Sequence, residues 1–209
     1  MQIYNELSAM SDQALADLLR QPVPGSDTGA ISQCKEVAWA LMQHGEAGVA
    51  MLHDQIHHAN TAQLVGIIFA LTHPHPGKPL PQESLLAWLG DARDVVVAEA
   101  IDGLSRTGSI DQADRVLQLK THSSPWVRGS VVRFAGQLEP AQARPLWLAA
   151  LADPHFIVRE NAVDEIGDHP FRQALAGLQP LLADEHADVR LATQTAIESI
   201  HAMEPDPPA

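Results

Sequence analysis

The sequence predicts an all-α protein, an α-α superhelix built as a right-handed solenoid of about six helical hairpins. Three observations predict it. One residue pattern recurs every 31 positions along the chain. Its apolar positions follow the 3.6-residue period of a helix. Aromatic residues make up only 4% of the 209, while Ala and Leu are abundant, which suits packed helices better than a β-sandwich.

The pattern is clearest in the second half. HSSPWVRGSVVRFAG begins at His122, DPHFIVRENAVDEIG at Asp153 and DEHADVRLATQTAIE at Asp184. Their Val-Arg pairs, Val127-Arg128, Val158-Arg159 and Val189-Arg190, are spaced by 31 residues. The same step taken backwards extends the Val slot to Val96, Val65 and Cys34, with Val97, Gly66 and Lys35 in the Arg slot. The position three after the Arg slot then reads Ala38, Phe69, Ala100, Val131, Ala162, Thr193, and the position seven after reads Met42, His73, Leu104, Ala135, Ile166, Ile197. Offsets −1, +3, +4 and +7 share one helical face, so these columns are the expected buried face of each hairpin's second helix.

The remaining elements follow in order. An Asp opens several motifs (Asp91, Asp153, Asp184) and is expected to cap the second helix or to accept an arginine of a neighbouring repeat. That assigns Arg128, Arg159 and Arg190 to a structural ladder. Pro125 and Pro154 fall where a turn or a first helical position belongs. First helices are expected over 80–90, 111–120, 142–151 and 172–183, with a kink or late start at Pro145 and Pro180. The segment 72–81 holds four prolines and a glycine and reads as a longer loop, the weak point of the array. One solenoid is expected over 1–202, followed by a frayed, acidic, Pro-rich tail over 203–209.

Asp-x-x-x-x-Val-Arg-x-x-Ala-x-x-x-Ile-Gly, best seen from Asp153 to Gly167, resembles the short bacterial HEAT-like repeat, the type also found in phycobilin lyases. The last three repeats fit well and the first three are degenerate. The resemblance implies that second helices line a concave surface. The positions facing away from the core columns, at offsets +1, +2, +5 and +9, then place Glu99, Asp102, Arg106, Arg133, Glu160, Asn161, Asp164 and Asp168 on that surface. Trp126 is expected to be partly exposed as an interface anchor, whereas Trp39, Trp88 and Trp147 fall in core patterns.

The formal charge is −13. Duplex binding neutralises phosphates with cations, so a chain with only three Lys and ten Arg is a poor nucleic-acid binder. The expected function is non-enzymatic: a scaffold, adaptor or immunity-like protein whose acid-rich concave surface binds a protein with a basic surface. The alternatives that the resemblance offers are a bilin lyase or its chaperone subunit and a HEAT-like DNA-binding or glycosylase-type protein. Iron hydroxylases built on such repeats carry His-Glu pairs, and this sequence has none.

No cofactor, metal or catalytic residue is assigned. His53 and His57 lie one helical turn apart, as metal ligands can, but lack a completing ligand nearby. Cys34, the single cysteine, sits in a core column and rules out an internal disulfide, which fits the cytoplasm. No membrane span or signal peptide is expected, and the chain is expected to be a monomer or weak dimer.

Overall fold

The computed structural model describes residues 6–23 and 27–203. Those residues form helices, short 3-10 turns and loops, and no strand. They divide into two compact units, Met1–Ser109 and Ile110–Ala209. The part of the expected tail beyond Met203 lies outside the described residues. Met203 itself packs against the core of its unit, and its carbonyl accepts the Arg172 guanidinium at 3.2 Å.

In the first unit the helices are α1 (Asp12–Arg20), α2 (Asp27–Gln43), α3 (Glu46–Gln55), α4 (Thr61–Leu71), α5 (Gln82–Trp88) and α6 (Asp94–Arg106). Ser11 caps α1 by accepting the Ala14 N–H. Asn60 and Gln63 cap α4 reciprocally, each side chain accepting the other's backbone N–H. Helix α4 packs against both α2 and α6. It therefore buries Leu64, Val65, Ile67, Ile68, Ala70 and Leu71, an apolar surface that goes most of the way round. At Gly66 the two backbones come so close that a Cβ would lie 2.6 Å from the Cys34 carbonyl oxygen. The Arg slot of that repeat is glycine for this reason.

The second unit contains α7 (Ala113–Leu117), α8 (Pro125–Phe134), α9 (Pro140–Ala150), α10 (Phe156–Asp168), α11 (Leu175–Leu178) and α12 (Ala187–His201). Second helix α10 packs between α8 and α12. Their core joins Trp147, Val158, Ala162, Ile166, Phe171, Val189 and Ile200.

The column reading matches this packing. Cys34, Val65, Val96, Val127, Val158 and Val189 are all at most 2% exposed. Burial pushes the Cys34 thiol pKa up, as an apolar column requires.

Four details differ from the sequence expectation. The helices expected over 111–120 and 172–183 are each a short α-helix between 3-10 turns, and Pro180 falls in the first positions of the last turn, Gln179–Ala183. Helix α9 runs through Pro145 without a break. The carbonyl left without that N–H belongs to Ala141, which is exposed and open to water. The motif Asp sits two residues before each N-cap, and Asp91, Asp153 and Asp184 accept the N–H of Arg93, His155 and His186 at 2.9 Å. Trp147 is buried, but Trp39 and Trp88 are only partly so.

The loop 72–81 is pinned. The His53 ring donates from Nε2 to the Lys78 carbonyl at 2.8 Å, the Gly77 N–H bonds to His75 Nδ1, and Leu80 is buried.

Candidate functional site

Arginine pairs join successive repeats of the second unit. Arg128 donates through Nε and Nη2 to both carboxylate oxygens of Asp153, at 2.8 and 2.7 Å. Arg159 does the same to Asp184, at 2.8 Å for each bond. Each pair spans 25 residues, from the Arg slot of one repeat to the opening Asp of the next. Arg128 also bonds the His122 and Ser123 carbonyls, and Arg159 the Asp153 carbonyl. Arg190 donates to the carbonyls of Asp184 and Glu185. The guanidinium holds Asp184 below the usual carboxylate range. Burial raises Asp153, yet Arg128 and the His155 N–H outweigh it and the net shift is downward. Arg128 and Arg159 hold successive repeats together, while the Arg190 bonds stay within its own repeat.

The outer face of α10 carries Glu160, Asp164 and Asp168, spaced i, i+4, i+8. Glu160 is partly buried; Asp164 and Asp168 are exposed. Among the described residues no lysine or arginine pairs with any of the three. Burial, then the charges of Asp164 and Asp188, raise the Glu160 pKa. Desolvation of its carboxyl by surrounding protein, then the charge of Asp168, raise Asp164 although the residue stays in contact with solvent.

Glu165, which the sequence did not single out, goes up furthest, to about 7. Its carboxylate lies over Gly136, where a Cβ would collide with it, with the His169 ring beside the same spot. Burial and the nearby Asp168 drive that shift against the pull of Arg133. Arg133 donates to Asn161 Oδ1 at 3.0 Å and to Ser130 Oγ at 2.9 Å. The Asn161 amide fits there because Gly129 has no side chain: a Cβ would lie 2.6 Å from Asn161 Nδ2. Trp126 opens α8 with 49% of its surface exposed, and Leu191 on α12 reaches 66%. A row of stacked rings, His155 on Phe156 and Phe156 on His186 (centroids 5.0 and 3.7 Å), also went unforeseen, since the three positions are two repeats' N-terminal turns.

In the first unit Glu99 is not an open groove carboxylate. It is 4% exposed, with Lys35 Nζ at 2.6 Å from one oxygen and the Arg106 guanidinium on the other. Arg106 also donates to Thr72 Oγ1 at 2.9 Å. The physical reason is that second helices lie side by side. Offsets +1 and +2 are flanks covered by a neighbouring helix, which buries Val37, Ile67, Ile68, Ala98 and Glu99. Asp102, one turn before Arg106, stays partly exposed.

Beside that ion cluster lie three rings. Phe69 and His73 occupy columns +3 and +7, and Trp39 occupies +4 of the preceding repeat. Each is only partly buried. Trp39 meets the His73 ring edge-on at 5.0 Å and 89°, and Phe69 lies 4.6 Å from His73 and 5.9 Å from Trp39. Lys35 Nζ stands 4.8 Å from the Phe69 centroid. Large rings in columns that are otherwise small or aliphatic were the signal available in the sequence.

Among the described residues no three His, Cys, Asp or Glu side chains are grouped to hold a metal ion, and no helix is long and apolar enough to cross a membrane.

Helix pairs repeating in one register, joined in the second unit by a recurring Arg-Asp pair, define a helical repeat protein. No family model matches the sequence, and no curated protein matches it either. Among solved structures the chain is similar to YibA of Escherichia coli, with a TM-score of 0.70 and 17% identity over 94% of this chain and 73% of that one. It is also similar to a designed armadillo repeat protein in complex with the peptide (KR)4, with a TM-score of 0.54 and 16% identity over 95% and 98% of the two chains. These likenesses show the fold, which is of the HEAT and armadillo kind.

Proposed function

We propose that this chain is a non-enzymatic binding scaffold, and that the outer face of α10 receives a basic segment of a protein partner. The observation that carries the reading is the row Glu160, Asp164, Asp168, three carboxylates in line without a lysine or arginine partner among the described residues. Desolvation by the surrounding protein, then the neighbouring carboxylates, raise the proton affinity of the first two. A cation laid along the row removes that repulsion. Trp126, half exposed at the start of α8, which packs against α10, supplies an apolar anchor. The similarity to a designed protein in complex with an alternating Lys-Arg peptide supports the same class of partner. The formal charge of −13 opposes a duplex nucleic acid and favours attraction of a basic polypeptide. In this reading Arg133, held by Asn161 and Ser130 within the same unit, belongs to the polar lining of that face.

Fluorescence anisotropy with a labelled Lys-Arg octapeptide tests the proposal. Wild type is expected to bind, and the double variant Glu160→Lys/Asp164→Lys is expected to bind roughly tenfold more weakly, from about 1 kcal/mol or less per lost exposed ion pair. Raising the salt concentration should weaken the wild-type complex. Binding unaffected by both changes contradicts the reading.

A further inference from the structure

The geometry points to a second binding site, in the first unit: the cleft among Trp39, Phe69 and His73 receives an aromatic side chain of a polypeptide partner. The cleft holds about 370 Å³ and is lined by those rings with Lys35 and Glu36. Its residues all belong to the first unit and the acidic row of α10 to the second, and the inference does not depend on that row.

The columns themselves mark the place. Positions +3, +4 and +7 are core positions, filled in later repeats by buried residues such as Ala100, Ile101, Leu104, Ala162, Val163 and Ile166. In the first two repeats the same columns carry Trp39, Phe69 and His73, each left partly open. A ring used only to fill a core is expected to be sealed, as Trp147 is at 3% exposure with its indole N–H donating to the Val132 carbonyl at 3.1 Å. These are not sealed.

The walls are held in place before any ligand arrives. His73 Nδ1 bonds the Phe69 carbonyl at 2.6 Å, which fixes that ring against its own helix. Lys35 and Arg106 both lie over Phe69, at 4.8 and 5.4 Å, and both are anchored on Glu99. That leaves a preorganised set of ring faces and edges between α2 and α4. Preorganisation of this kind lowers the ordering cost of binding.

Charge selects the occupant. Lys35 and Arg106 are balanced by Glu99 and Glu36, so the cleft presents no net charge to a ligand. An entering cation meets Lys35, and an entering anion meets Glu36. An uncharged ring meets neither penalty and gains offset or edge-on contacts with Trp39 and His73. Because all three rings are only partly buried and line one cleft, an aromatic side chain can enter while its own backbone stays outside.

Nuclear magnetic resonance tests this directly. The chain has four tryptophans, so four indole N–H signals are expected, and Trp39→Phe assigns the one that disappears. N-acetyl-L-phenylalaninamide, added to the millimolar range, should shift the Trp39 signal and leave those of Trp88, Trp126 and Trp147 in place. N-acetyl-L-leucinamide and N-acetyl-L-argininamide should shift it far less. Phe69→Leu keeps an apolar residue in its column and should weaken the aromatic probe by roughly fivefold, the loss of one ring-ring contact. No Trp39 shift with the aromatic probe, or an equal shift with the arginine or leucine probe, overturns the proposal. So does full retention of the response in Phe69→Leu.

Discussion

At Gly66 a Cβ would lie 2.6 Å from one backbone oxygen and 2.7 Å from the backbone carbon of Cys34. Backbone cannot swing aside as a long side chain does. Gly66→Ala should therefore lower the stability of the protein by about 1–3 kcal/mol, the usual cost of overpacking, measured by urea denaturation. Glu165 makes a different prediction. Its folded pKa is raised to about 7, above the ordinary glutamate value. Between those two values the folded form holds a proton that the unfolded form has lost. Its contribution to stability is present at acid pH and is lost as pH rises through the folded value. Glu165→Gln should therefore raise the melting temperature at pH 8 relative to wild type, and raise it less at pH 5. Equal effects at both pH values contradict the assignment. Neither residue was legible from its own column. Gly66 stands in a slot that holds arginine in the last three repeats, and Glu165 acquires its environment from Gly136, Arg133 and Asp168, which come together only in the fold.

Between elements, the arginine ladder is the repeated joint. Arg159 and Asp184 have side chains 9% and 6% exposed, and they form two hydrogen bonds across 25 residues. Arg159→Met leaves the Asp184 carboxylate without its main partner and should cost about 3 kcal/mol. Adding Asp184→Asn should recover part of that loss. The Asp184 pKa is lowered in the folded state, first by the bond from Arg159. The joint therefore stabilises above the ordinary aspartate value of about 3.9 and fails as pH falls through the lower folded value. Urea midpoints at pH 7 and pH 3 should show that the Arg159→Met penalty shrinks in acid. This joint was readable in the sequence because both partners recur at a constant spacing. Where the Arg slot holds Val97, the opening position of the next motif is His122 rather than Asp. Asp91, whose preceding slot is Gly66, is taken instead by Arg93 at 2.8 Å. The short first helices were less legible. α7 and α11 bury one residue each, Val116 and Leu178, so a helical period over so few buried positions hardly distinguishes an α-helix from 3-10 turns.

For the whole molecule, the division of labour follows from helices packed in rows. One face of each second helix is buried, and its Val column was plain because burial imposes a strict period. The flanks are covered by neighbouring second helices, and that withdraws Glu99 from the surface that sequence offsets gave it. What remains open on α10 is a narrower strip, Glu160, Asp164 and Asp168, on a helix packed against α8 and α12, which carry exposed Trp126 and Leu191. Sequence offsets place a residue on a helix but not under its neighbour, so the strip's charge was legible and its true width was not. The most direct test of the binding account is a backbone amide shift map of the protein titrated with the Lys-Arg octapeptide. The account predicts that the largest shifts cluster on α10 around Glu160, Asp164 and Asp168, with Trp126 responding and the buried Val158 and Val189 still. Shifts absent from α10, or spread evenly over the molecule, would contradict it.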